Sequence, residues 1–162
     1  MRKNKVDIIT LGCSKNLVDS EQLMRQFAVN GYKVEHDPHK INGEIVVVNT
    51  CGFIGDAQEE SIEMILELGQ AKKQGKIGKL FVMGCLSERF LHDLEKELPE
   101  VDHFYGKFNW KELISDLGKA YHQELAYDRI LTTPKHYAYL KIGEGCNRTC
   151  SYCSIPIITG AY

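Results

Sequence analysis

Ile45-Val46-Val47-Val48 is an unbroken run of four β-branched residues, with Asn42-Gly43 before it and Asn49-Thr50-Cys51-Gly52 after it. The run has no polar face, so it reads as a strand buried on both sides, as inner strands of parallel sheets are. Strand-like segments recur on either side of it, at residues 6–11, 32–34, 80–83 and 103–105. Helical periodicity fills the gaps. Residues 16–30 place Leu23, Met24 and Phe27 on one face, with Gly31 as a stop. Asp56 stands three residues before Glu59 as a capping box, ahead of a stripe of Ala57, Ser61, Ile65 and Leu68. Ser87 is a candidate cap for a helix carrying Leu91, Leu94 and Leu98 and stopped by Pro99. Asn109 is a candidate cap for a last helix with Leu113, Ile114 and Leu117. Alternating strands and helices predict an α/β fold, a doubly wound parallel sheet with right-handed crossovers.

This first domain spans residues 1–120. Residues 121–134 lose the helical period and read as a linker. Residues 137–142 then alternate as a strand and run into Gly143-Glu144-Gly145-Cys146. A second domain therefore begins near residue 135, and residues 135–162 carry only its first strand and loop. The expectation is a fragment of a longer protein.

Composition narrows the function classes. At 43% hydrophobic and 26% charged, the 162 residues hold enough apolar material for a core, unlike a disordered chain. No apolar run approaches the roughly 18 residues of a membrane span. No signal-peptide core follows the basic start, so a cytoplasmic protein is expected. The net charge of −2 argues mildly against nucleic acid as the main partner.

The six cysteines form two triples. Cys13, Cys51 and Cys85 each directly follow a predicted strand, and each adjoins a glycine. In an open parallel sheet the carboxyl ends of the strands form the ligand crevice, so the three are expected to converge there. Three thiolates suit an iron–sulfur cluster with one iron left unligated by protein. Ordinary buried cysteines, or a zinc site completed by His36, His39, His92 or His103, are the competing readings. Cys146, Cys150 and Cys153 have the spacing C-x3-C-x2-C, which lets one tight loop hold three irons of a [4Fe–4S] cube. A zinc site completed by His136 is the alternative there. Asp19, Glu21 and Glu59 are acidic, but near helix starts such residues most often serve the dipole or a cap.

The second triple, with Tyr152 before its last cysteine, resembles the radical S-adenosylmethionine (SAM) signature. Both triples together resemble the methylthiotransferases, radical SAM enzymes with two [4Fe–4S] clusters. The resemblance covers essentially the whole chain. It implies that Cys13, Cys51 and Cys85 hold an auxiliary cluster, and that Cys146, Cys150 and Cys153 hold the cluster that binds SAM, with Tyr152 near the adenine. Residues 10–21 (Thr-Leu-Gly-Cys-Ser-Lys-Asn-Leu-Val-Asp-Ser-Glu), 49–54 and 84–89 are similar to the branch acting on a ribosomal protein. That likeness implies methylthiolation of an aspartate β-carbon in small-subunit ribosomal protein number twelve, with an electron donor protein as a further partner. The alternatives are a tRNA adenosine methylthiotransferase and, from another class, a flavodoxin-like phosphate- or cofactor-binding domain. The sequence departs from the family after Ile155-Pro156, where the rest of the barrel is missing, so the chain alone is not expected to catalyse the reaction.

Overall fold

The computed structural model describes residues 1–162. Five strands and four helices follow one another along residues 2–116: β1 (Arg2–Thr10), α1 (Ser14–Val29), β2 (Lys33–His36), β3 (Gly43–Thr50), α2 (Gly55–Lys73), β4 (Lys79–Gly84), α3 (Cys85–Glu97), β5 (His103–Phe104) and α4 (Glu112–Asp116). A one-turn helix, α5 (Ile155–Thr159), follows near the end. The strand order is β2-β1-β3-β4-β5, and every pairing is parallel. This is the flavodoxin-like order, in which the topological switch point lies between β1 and β3.

β3 sits at the centre because its side chains have an apolar partner on both faces. Ile45 and Val47 pack with Leu23, Met24 and Phe27 of α1 and with Leu113 and Ile114 of α4. Val46 and Val48 face the other way, onto Ile65 and Leu68 of α2 and Leu86 and Leu94 of α3. Val46, Val47 and Val48 are fully buried, each contributing about 1.5–3 kcal/mol of transfer free energy.

Several local expectations are corrected. α2 starts at Gly55 with Ile54 as its N-cap and no side-chain cap, so Asp56 contributes only charge to the first turn. α3 starts at Cys85 directly after β4, with Gly84 as N-cap, which leaves Ser87 buried inside the helix. α4 has Lys111 as N-cap; Asn109 acts through its carbonyl, which accepts the Glu112 N–H at 2.9 Å. Residues 137–142 form no strand. A strand needs a ladder partner for its backbone groups, and none of the strand pairings involves this segment. The chain after α4 packs back on α1: Gln26 donates to the His122 carbonyl at 2.9 Å and accepts the His122 N–H at 2.8 Å.

A candidate cluster site at the sheet switch point

β1, β3 and β4 end on the same edge of the sheet, so each hands the chain to a cysteine there. Cys13 is the N-cap of α1, in extended backbone (φ −94°, ψ 172°). Cys51 follows β3, and Cys85 opens α3. All three line one cleft of about 580 Å³ at the carboxyl ends of the strands. Cys13 is exposed; Cys51 and Cys85 are half-buried.

Backbone packing draws the three loops together. Gly12 has φ +108°, and a Cβ there would lie 2.9 Å from Cys51 Cβ and 3.4 Å from its Sγ. Only glycine fits both that conformation and that approach. At Gly52 a Cβ would meet the Cys85 carbonyl oxygen at 2.5 Å. The loop after β3 is held from the other face of the sheet. Ser61 Oγ accepts the Cys51 N–H at 3.2 Å, while Gln58 and Arg89 donate to the Gly52 carbonyl at 3.0 and 3.1 Å.

Two residues that sequence reasoning did not single out complete the floor. Asn16 is fully buried, and its Oδ1 lies 3.7 Å from Cys85 Sγ and 3.9 Å from Cys13 Sγ. Lys107 Nζ reaches the same Oδ1 at 3.3 Å and Asp19 Oδ2 at 2.8 Å, with 2% and 5% of the Lys107 and Asp19 side chains exposed. Asp19 is therefore neither a cap nor a dipole group, and Glu21 is also buried, facing the connector. Burial works against the Lys107 charge, but Asp19, with help from Cys85 and Glu144, raises its pKa above the usual lysine value. Burial pushes the Cys85 thiol up and the Lys107 ammonium pulls it down, while Cys13 and Cys51 add to the rise. Asn16 had one faint signal, an amide three residues after Cys13; Lys107 had none.

The residues flanking the second triple reach the same cleft. Glu144 lines it, as do Ile155, Ile158 and Thr159. Glu144 pairs with Lys141 at 2.7 Å, Lys15 at 3.3 Å and Lys107 at 3.4 Å. Burial opposes its charge, but these lysines, Lys141 foremost, hold the carboxyl below its usual range. Cys146, Cys150 and Cys153 lie on one loop, closed by Cys153 N–H to the Cys150 carbonyl at 3.1 Å and Cys146 N–H to the Gly160 carbonyl at 3.0 Å. Cys146 and Cys153 are half-buried and Cys150 is exposed. Tyr152 is 89% exposed and does not line the cleft.

No three His, Cys, Asp or Glu side chains converge tightly enough for a single metal ion. A cubane binds each thiolate at a different iron, so its ligands stand further apart around a larger body. Three soft thiols around an open cleft with apolar walls and one buried cation are a donor set that fits such a group. No helix is long and apolar enough to cross a membrane.

Residues 5–106 match the model of a family described as uncharacterized protein family UPF0004. Over its full 162 residues the chain is 90% identical to a protein of Parabacteroides distasonis named "Ribosomal protein uS12 methylthiotransferase RimO", covering 38% of that protein. It is 72% identical to a protein of the same name from Porphyromonas gingivalis and 52% identical to one from Flavobacterium johnsoniae, covering 37% of each. The chain thus spans well under half the length of these relatives. With the family model matched from β1 through β5, across the strand ends that carry Cys13, Cys51 and Cys85, the chain belongs to the UPF0004 family.

Proposed function

We propose that the protein to which this chain belongs is a radical SAM methylthiotransferase that modifies the β-carbon of an aspartate in ribosomal protein uS12. The name shared by the relatives supports the substrate. The observation that carries the chemistry is the cleft into which Cys13, Cys51 and Cys85 open from the sheet. Glu144 and α5, which flank the second triple in sequence, line it too, though Cys146, Cys150 and Cys153 do not. In this reading residues 1–120 form the auxiliary-cluster domain, 121–134 connect, and 135–162 carry the SAM-cluster loop.

Cys13, Cys51 and Cys85 would hold one [4Fe–4S] cluster, and Cys146, Cys150 and Cys153 the other, beside which SAM would bind with Tyr152 near its adenine. When bound, these groups supply radical C–H cleavage, the transferred sulfur and its methyl group; the protein supplies orientation and shelter. Each triple leaves one iron position without a protein ligand. The apolar side chains of Phe53, Ile54, Ile155 and Ile158 line the cleft. The buried Lys107 offsets the negative charge of thiolates. An electron donor protein and a cytoplasmic location complete the proposal, with nucleic acid not the primary substrate.

The test is mass spectrometry of uS12 and of tRNA from cells in which the gene encoding this chain is disrupted. Loss of the methylthio group from the uS12 aspartate, with tRNA adenosines unchanged, is the expected result. The opposite pattern would move the substrate to tRNA.

A further inference from the structure

One fully buried side chain joins all three cysteine loops. Asn16 Nδ2 donates to the Leu11 carbonyl at 3.1 Å, just before Gly12-Cys13, and to the Thr50 carbonyl at 2.9 Å, just before Cys51. Its Oδ1 faces Cys13 Sγ and Cys85 Sγ at 3.9 and 3.7 Å. Asn49 Nδ2 in turn donates to the Asn16 carbonyl at 2.8 Å, so the amide is fixed from behind. Both amide protons are used to tie β1 to β3 at the switch point, and the oxygen is left for the sulfurs.

That oxygen carries the negative end of the amide dipole. Facing thiols it accepts weakly; facing thiolates it would repel them. Lys107 Nζ, bonded to the same oxygen at 3.3 Å, supplies the opposite charge at that spot. An ammonium this deeply buried is costly unless paired. Asp19 pairs it on one side, and Glu144 meets it at 3.4 Å on the other. A loop staple alone would need no cation beside it.

We propose that Asn16 and Lys107 are a positioning pair for the cluster on Cys13, Cys51 and Cys85. Asn16 sets the spacing of the three loops, and Lys107 supplies the positive charge that stabilises the reduced, more negative cluster. The inference rests on the cluster reading proposed for this triple.

The experiment uses the 162-residue chain with Cys146, Cys150 and Cys153 all changed to Ala, reconstituted anaerobically with iron and sulfide. Iron per chain, the rate of cluster loss to a chelator and the midpoint potential are read, with circular dichroism as the folding control. Asn16→Ala is expected to lose its cluster at least about tenfold faster with the fold intact. Lys107→Met is expected to keep its cluster but be at least about tenfold harder to reduce, a fall of about 59 mV for one electron. Lys107→Arg restores the potential, and Asp19→Asn, which removes the opposing anion, raises it. Opposite signs at Lys107 and Asp19 are what a purely structural role would not give. Equal cluster retention in Asn16→Ala, or shifts of the same sign or none at Lys107 and Asp19, would overturn the pair. Should Lys107→Met not fold, Asp19→Asn decides, and no rise overturns the proposal. If the parent chain takes up no iron at all, the cluster reading fails and takes the pair with it.

Discussion

The carboxylate of Glu21, buried halfway along α1, accepts both the backbone N–H and the hydroxyl of Thr132, at 2.7 and 3.0 Å across 111 residues of chain. Arg129 approaches the other carboxylate oxygen at 3.5 Å, and the Ile130 N–H donates to the Glu21 carbonyl at 3.2 Å. One residue of α1 thus ties down residues 129–132.

Glu21→Ala leaves the Thr132 N–H and the Arg129 guanidinium without their partner. A cost of about 1–3 kcal/mol is expected from the lost buried hydrogen bonds. Hydrogen exchange should speed up through residues 121–134 and change little in β3. Unchanged exchange in the connector would mean that Glu21 is not its anchor.

Gly12→Ala forces a side chain into a φ of +108° and against Cys51. The backbone strain is worth about 1–3 kcal/mol. Thermal denaturation should show a lower midpoint, and iron held by the first triple should fall. Iron held by Cys146, Cys150 and Cys153 should not.

Reconstitution of the two triples should be separable. With about four irons per cubane, Cys51→Ala is expected to remove about half of the bound iron, and Cys150→Ala the other half. Loss of all iron from either single variant would tie the two sites together more closely than proposed. In the full-length protein, cleavage of SAM should follow Cys150 and not Cys51.

Acid stability offers a test away from the cleft. Lys5 and Lys33 hydrogen-bond the Glu35 carboxylate and hold its pKa at about 2, below the ordinary value of about 4.3. A carboxyl lowered in the folded state contributes stability above its unfolded pKa, and loses it as pH falls through the folded one. Glu35→Gln should therefore be less stable than the parent at pH 7. The gap should narrow between about pH 4.5 and pH 2, as followed by thermal melts. A gap that widens toward low pH would contradict the ion pairing.

The sequence by itself determined the sheet and the cysteines. Ile45-Val46-Val47-Val48 could only be an inner strand, because apolar side chains on both faces need cover on both faces. The glycine-flanked cysteines after three strands were legible because strand ends in such a sheet share an edge. Helix starts were not: Cys85 rather than Ser87 opens α3, because β4 turns into the helix without a spacer. The strand expected at 137–142 failed because alternation gives a strand its faces but not its neighbours, and no neighbour is there. Only the tertiary structure decided the floor of the cleft. Asn16 and Lys107 are 91 residues apart, and a buried polar side chain carries no periodic signal; its place is set by the partners that compensate its desolvation. The same holds for Glu144, whose neighbours in sequence say nothing of Lys107 beneath it.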